Sequence, residues 1–120
     1  MTIYIVARPE TWTLARIRGY FYENSIAREG FIHGASWAQL NRVVHTYFKD
    51  AQTVLILAID PTRLRPPVRW ETSPSTGDVY PHIYGILNLD AASVRLTLTR
   101  NAAGRFELPA EEPALQPVGS

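Results

Sequence analysis

The 120-residue sequence contains no cysteine. This absence excludes a disulfide framework, thiolate metal ligands and a cysteine nucleophile. It fits a reducing compartment, and we expect a cytoplasmic protein. Long apolar runs are absent as well, because the N-terminal "TIYIVA" is too short for a signal-peptide core or a membrane span. We therefore expect no membrane partner.

Neither positive nor negative charge is in large excess, since the formal net charge is +1. A chain with this balance has no strong long-range attraction to nucleic acid or anionic membranes. Arg63, Arg65 and Arg69 are close in sequence and form either a solvated face or a site for a polyanion. No P-loop, dinucleotide fingerprint, nucleophile elbow or metal-ligand spacing is present, so we expect no metal site.

The composition indicates one globular domain, with 46% apolar and 19% charged residues. We predict that residues 1–108 form this domain. From Pro109 the chain has three prolines and few large apolar side chains, and we predict a flexible tail over 109–120.

Short β-branched and aromatic segments mixed with two main helices predict an α+β protein. The predicted strands are 2–7, 31–35, 53–59, 68–71, 79–89, 93–100 and a short pairing segment at 105–108, with 53–59 central and buried on both faces. One helix begins at Pro9 and ends at Gly19, a second follows Ser36, and 20–30 is irregular except for a turn from Ser25 to Glu29. The side chains expected to face the core from these helices are Trp12, Leu14, Ala15, Ile17, Leu40, Val43, Val44, Tyr47 and Phe48, with His45 on the surface.

The segment "GFIHGAS" places His33 at the end of a strand and just before a helix. Ser36 and Gln39 have the spacing of a capping box, and backbone N–H groups at a helix start favour anions. Gly34 and Ala35 leave space in which a ligand could approach the backbone. The other interpretation is a core histidine bonded to a carbonyl, with Gly34 relieving a turn.

The segment "YPHIYG" places His82 and Tyr84 on one face of an extended chain. Such a pair can hold a polar ligand, or its aromatic rings can cover the core from an edge strand. Glu71 follows Trp70, so its pKa is either raised in a partly apolar pocket, as acid–base chemistry requires, or ordinary at a solvated strand end.

Several segments together resemble a known family. They are "IY" near the start, a tryptophan eight residues after Tyr4, "GFIH", a strand closing in "IDP", "VRWE" and "PHIYG". Their order is similar to a family of small bacterial and plant domains catalogued as domain of unknown function nine hundred fifty-two, over about residues 3–98. The resemblance implies a compact ADP-ribosyltransferase-like fold, with two small, mostly antiparallel sheets around a cleft and two main helices.

The resemblance also implies roles for individual residues. His33, Glu71 and Tyr84 would be catalytic, with Glu71 stabilising an oxocarbenium-like ribose. Gly34, Ser36 and His82 would contact a bound NAD, ADP-ribose or other phosphorylated small molecule, and no cofactor is required. RNA ends are a further possible partner, because the layout is also similar to the RNA 2′-phosphotransferases.

The sequence departs from the family at two places. Members usually carry a basic residue after "IY", where this chain has Ile5, and they tend to read "FIHCS", where it has Gly34 and Ala35. Because the basic residue is missing at position 5, two interpretations stay open. The chain is a transferase or hydrolase of ADP-ribosyl or RNA 2′-phosphate type, or it is a binding module without catalysis. The alternative is a protein-interaction domain with "YFY", Tyr20 to Tyr22, in its partner surface.

Overall fold

Eight short strands and three α-helices follow one another in the computed structural model, which describes residues 2–113. The elements in chain order are β1 Ile3–Ala7, α1 Pro9–Arg18, β2 Tyr20–Phe21, α2 Asn24–Glu29, β3 Ile32–His33, a 3₁₀ turn Trp37–Gln39, α3 Leu40–Tyr47, β4 Thr53–Ile59, β5 Val68–Thr72, β6 Val79–Ile83, β7 Leu87–Asn88, a 3₁₀ turn Leu89–Ala91 and β8 Ala92–Thr99. None of the helices in this range has the length and apolar character needed to cross a bilayer.

The strands form three small antiparallel sheets, which confirms the α+β class. Their orders are β1-β4-β8, β2-β7 and β3-β6-β5. The prediction of two sheets is wrong, because Tyr20–Phe21 pairs with Leu87–Asn88 as a separate two-stranded sheet. The short turn predicted at Ser25 is helix α2, which ends at the left-handed Gly30.

Strands β1 and β4 of the first sheet are buried on both faces, as predicted for the central strand β4, whereas the edge strand β8 is largely exposed. Alternate side chains of β1 and β4 enter two apolar clusters, because successive residues of a strand point to opposite faces. Ile5 and Leu57 lie in the cluster that also contains Ile32 and Ile83 of the third sheet. The second cluster lies under α3 and the C-terminal segment and contains Val6, Ile56, Leu40, Val44 and Phe106.

Each main helix buries fewer side chains than predicted. In α1, Ala15 is buried and Trp12 packs against the core, whereas Leu14 and Ile17 are 42% and 77% exposed. Leu14 and Ile17 follow Trp12 and Ala15 by two residues, about 200° of helical rotation, and so point away from the core. In α3, Tyr47 is the last residue and is 65% exposed.

The predicted strand at 105–108 is not formed, yet its residues are anchored. The Phe106 N–H donates to His45 Nε2 at 3.2 Å, and His45 Nδ1 lies 2.7 Å from the Asn41 carbonyl oxygen. His45 is therefore half-buried rather than a free surface residue. Further on, Trp37 Nε1 donates to the Pro109 carbonyl at 3.1 Å, and Arg95 contacts Glu112 at 3.0 Å. Residues 114–120 lie outside the described part of the chain, and a flexible tail over 109–120 stays a prediction.

Glu23, the residue before α2, is a half-buried carboxyl group without a side-chain hydrogen bond at the helix start. Burial raises the pKa of Glu23 to about 7, although Arg8 and Arg28 oppose the shift. The folded protein therefore holds this proton more tightly than the unfolded chain does. The contribution of Glu23 to the free energy of unfolding is fully present below its ordinary pKa and is lost as the pH rises through about 7.

We expect Glu23→Gln to raise the free energy of unfolding at pH 8 by on the order of 2 kcal/mol, since the amide needs no deprotonation. Near pH 4.5 the gain disappears, because the wild-type carboxyl is then protonated in the folded state. Urea unfolding of both proteins at the two pH values measures the difference. Glu111→Gln, at an exposed position, is the control, and an equal gain from Glu23→Gln at both pH values would contradict the assignment.

Candidate functional site

The candidate residues lie on the outer face of the third sheet, β3-β6-β5. The strand register places His33, His82 and Arg69 opposite one another, so that they form one row across the three strands. Ile32 and Ile83 alternate with them and are buried on the inner face. Strand alternation thus turns the polar residues outward and the apolar ones inward.

Five side chains on this face form what we call the outer-face cluster, made of Phe31, His33, Glu71, His82 and Tyr84. Phe31 stacks directly on His82, with ring centroids 3.9 Å apart and planes at 17°. It also meets His33 at 4.9 Å and 67°, and Tyr84 at 5.3 Å. Sequence reasoning missed Phe31, although its position two residues before His33 places both on one face of a strand.

Glu71 is the acceptor at which two of the predicted site residues meet. The Tyr84 hydroxyl donates to Glu71 Oε1, and His82 Nδ1 lies 2.8 Å from the same oxygen. The bonds from Tyr84 and His82 hold the pKa of Glu71 below its ordinary value. The bond to Glu71, together with burial, raises the pKa of Tyr84. The interpretation in which the Glu71 pKa is raised is therefore wrong. Trp70, which was expected to make the surroundings of Glu71 apolar, points to the opposite face of β5.

His33 is held by a carboxylate from the preceding helix. Its Nε2 lies 2.5 Å from Oε2 of Glu29, the last residue of α2. The His33 side chain is 53% exposed, so it is not a core histidine bonded to a backbone carbonyl. The site thus contains two imidazoles, each oriented by a carboxylate, with ring centroids 5.6 Å apart.

Gly34 makes room for protein rather than for a ligand, which corrects the expectation that a ligand approaches the backbone there. Its N–H donates to the Pro81 carbonyl at 2.9 Å. A Cβ at this position would lie 2.8 Å from the Pro81 oxygen and 3.0 Å from Ile3 Cγ2. Ala35 is likewise buried, and it bridges to Tyr4 of β1.

Ser36 forms the capping box that the sequence predicts. Its N–H donates to Gln39 Oε1 at 2.9 Å, and Gln39 Nε2 donates to the Val79 carbonyl at 2.8 Å. The helix begins as a 3₁₀ turn, and Gln39 ties this turn to β6. The Ser36 N–H, one of the donors expected to face an anion, is therefore already satisfied within the protein.

The space between the two three-stranded sheets is filled, so the candidate site is not a cleft between them. Ile5 is 1% exposed and packs in the cluster that contains Ile32 and Ile83. The residue at position 5 therefore lies on the opposite side of the third sheet from His33 and His82. In the "YFY" segment Phe21 is fully buried, whereas Tyr20 is 40% exposed.

Arg63 and Arg69, two of the three arginines that are close in sequence, have different surroundings. The Arg69 guanidinium lies 5.1 Å from the centroid of the Tyr84 ring, on the outer face. Arg63 lies in the loop before β5, 3.9 Å from Asp60. Of these two, Arg69 borders the candidate site.

Two surface depressions lie away from the outer-face cluster. One, of about 490 Å³, is apolar and lined by Ile3, Pro61, Val68 and Trp70. The other is lined by the loop after β4 and the start of β8. Within residues 2–113, no three His, Asp or Glu side chains are placed to hold a metal ion.

Comparison with known proteins places the chain in a family. The family described as "Protein of unknown function (DUF952)" matches residues 6–95. The crystal structure of protein CC0527 from Caulobacter crescentus is similar, with a TM-score of 0.78 and 24% identity over 89% of this chain and 94% of that one. The solution NMR structure of CC0527 gives 0.70 and 24% over 87% and 90%. These similarities support the fold alone. No curated protein matches the chain.

Proposed function

The chain belongs to the DUF952 family, and we propose that it binds a nucleotide-like ligand, NAD, ADP-ribose or another phosphorylated small molecule, on the outer face of the third sheet. The observation that carries this proposal is the row of His33, His82 and Arg69 across three paired strands. Each imidazole is oriented by its own carboxylate, which fixes the ring before a ligand arrives. The row offers donors to a phosphate group.

The rest of the outer-face cluster suits the sugar and ring of such a ligand. Phe31 and Tyr84 present aromatic surface, and Arg69 lies over the Tyr84 ring. Glu71 repels phosphate but accepts hydrogen bonds, so it fits the hydroxyl groups of a ribose. The ligand would therefore lie with its phosphate at the row of His33, His82 and Arg69 and its ribose at Glu71.

We extend the proposal to the ADP-ribosyltransferase-like fold and its chemistry. In that reaction the nicotinamide–ribose bond breaks with its electron pair on nicotinamide, and water then adds to the ribose, which yields ADP-ribose, nicotinamide and a proton. The ribose passes through an oxocarbenium-like state, which an ionised carboxylate stabilises. Glu71 suits this role because Tyr84 and His82 keep it ionised at neutral pH.

Binding is tested by thermal shift and calorimetry with NAD, ADP-ribose and inorganic phosphate. A ligand at about 100 times its Kd adds about 2.7 kcal/mol, which raises Tm by roughly 10 °C in a domain of this size. We expect Arg69→Gln to weaken binding about tenfold, as loss of a charge-assisted contact does. Arg16→Gln, on the exposed side of α1, should leave affinity unchanged. If no ligand shifts Tm, the protein-interaction alternative replaces the proposal.

Turnover is tested by nicotinamide release from NAD. We expect Glu71→Gln to reduce release by about 100-fold or more while NAD still binds, since the amide keeps the shape and loses the charge. Equal release by the variant and the wild type would remove Glu71 from the mechanism. Binding without release by the wild type would define a binding module.

A further inference from the structure

Glu29 is an acidic residue that its own helix does not explain. It is the last residue of α2, and 45% of its side chain is exposed. The C-terminal end of a helix carries partial negative charge, so a carboxylate is unfavourable there. Gly30, in the left-handed region with φ at 92°, ends the helix, and His33 Nε2 then lies 2.5 Å from Glu29 Oε2. The partner of Glu29 is therefore the candidate site.

The contact with Glu29 determines which ring nitrogen of a neutral His33 carries the hydrogen. A carboxylate only accepts hydrogen bonds, whereas a neutral imidazole has one N–H and one acceptor nitrogen. The hydrogen must therefore be on Nε2, where it is donated to Glu29, and Nδ1 is left as an acceptor. Within residues 2–113, the His33 ring forms a hydrogen bond with Glu29 alone. Because the His33 side chain is 53% exposed, Nδ1 is the nitrogen left for a ligand.

A phosphate group needs the opposite property from that nitrogen. Phosphate oxygens accept hydrogen bonds, so they are repelled by the lone pair of a neutral Nδ1. A second proton turns Nδ1 into a donor and gives the ring a positive charge, and both changes favour phosphate. The form of His33 that binds phosphate is therefore the protonated ring.

The groups that face His33 come from three further elements. Glu29 of α2 contacts the ring, and its negative charge favours the protonated form. His82 of β6 meets the ring at 80° with centroids 5.6 Å apart, and the Tyr47 ring of α3 lies 6.5 Å away. A proton gained by His33 is thus stabilised by a carboxylate that is already in place.

The other members of the row contribute less to a proton change. Arg69 stays charged throughout the pH range in which imidazole titrates. His82 donates or accepts at Nδ1 with Glu71, and only 14% of its side chain is exposed. We therefore assign the proton to His33, the more exposed of the two imidazoles.

We propose that Glu29 is a positioning residue that couples phosphate binding at His33 to the uptake of one proton. The inference rests on the proposed function, because it concerns the phosphate end of the same ligand. Since the proton joins the complex together with the ligand, affinity rises as the pH falls. Where the ring of the free protein is neutral, the affinity changes by up to about tenfold per pH unit.

Proton uptake is tested by calorimetry with ADP-ribose, whose diphosphate, unlike inorganic phosphate, does not titrate near neutral pH. Titrations in buffers of small and large ionisation enthalpy count the protons that bind with the ligand. We expect little uptake at about pH 5.5, where imidazoles are ordinarily protonated, and more than about half a proton at about pH 7.5. His33→Gln should show no uptake at either pH.

Glu29→Gln separates positioning from packing, because glutamine keeps the shape and its amide can donate to Nε2. We expect part of the neutral His33 to carry its hydrogen on Nδ1 in this variant, and proton uptake at about pH 7.5 to fall by at least about twofold. The ¹⁵N NMR shifts of the ring at about pH 8.5 show the tautomer without any ligand. Glu10→Gln, at an exposed position in the first turn of α1, is the matched control and should change neither result.

The outcomes separate the coupling from the proposed function. If ADP-ribose binds without proton uptake, or if the neutral wild-type ring carries its hydrogen on Nδ1, the coupling is wrong and the binding site stands. Equal uptake by Glu29→Gln and the wild type would remove Glu29 from its positioning role. If ADP-ribose does not bind at all, the proposed function fails and the coupling fails with it.

Discussion

Arg100→Met is expected to lower the free energy of unfolding by about 4 kcal/mol, because one guanidinium satisfies several backbone carbonyls. Its nitrogens donate to the carbonyl oxygens of Ala51, Phe48 and Gly104, each at 2.7 Å. The guanidinium also lies 4.2 Å from the centroid of the buried Phe106 ring. Methionine keeps the apolar stem but removes these donors, and of the three oxygens the Phe48 carbonyl keeps a hydrogen bond from the Ala51 N–H. Chemical denaturation measures the loss.

Arg100→Lys is the matched variant, since it retains the charge without the planar fork of donors. A lysine ammonium cannot donate hydrogen bonds to all of these carbonyl oxygens at once. We therefore expect Arg100→Lys to show more than half of the loss in the free energy of unfolding. Arg16→Met, at an exposed position on α1, should change stability by less than about 0.5 kcal/mol. If Arg100→Lys is as stable as the wild type, the positive charge alone accounts for the stabilisation by Arg100.

Gly34→Ala is expected to lower the free energy of unfolding by about 3 kcal/mol, at the upper end of overpacking costs. The added methyl group would lie 2.8 Å from the Pro81 carbonyl oxygen, which is backbone and cannot rotate away. Relief of this clash requires β3 and β6 to separate where Gly34 N–H donates to Pro81. The same movement would shift His33 relative to His82, so ligand affinity should fall together with stability.

Gly19→Ala is the control for the effect of removing a glycine as such. Gly19 ends α1 in the left-handed region, with φ at 89°, and a Cβ added there would meet no atom within 4 Å. Its replacement therefore costs backbone strain without a clash, roughly 1 kcal/mol. If Gly34→Ala costs no more than Gly19→Ala, the close packing of β3 against β6 is not what makes glycine necessary.

Much of the fold could be predicted from the sequence, because its signals are local. The apolar run at β4, the Pro9 start and Gly19 end of α1, and the capping box at Ser36 are all visible in a few residues. The pairing of β2 with β7 could not be predicted, since two-residue strands carry no periodicity and depend on a partner distant in the chain.

Most members of the candidate site were predictable, except Phe31, but its orientation was not. Alternation along "PHIY" indicates that His82 shares a face with Tyr84, whereas the position of His33 beside them depends on the β3–β6 pairing. Which face of the sheet turns to the core depends on packing against β1 and β4, and only the structure shows that Ile32 and Ile83 take that side. The prediction that Gly34 leaves space for a ligand was wrong for the same reason, because Pro81 lies close to it only through the β3–β6 pairing.

The strand order of the first sheet also determines how the chain acquires its structure during synthesis. Ile3 pairs with Ile59, and Ile59 pairs in turn with Ala92, so the first strand made must wait for a distant partner. Non-local antiparallel pairing slows folding, because the entropic cost of closing the loop comes before the stabilising contacts form. During synthesis the apolar β1 therefore stays unpaired until β4 has been made, and the other edge of β4 stays unpaired until β8 has been made.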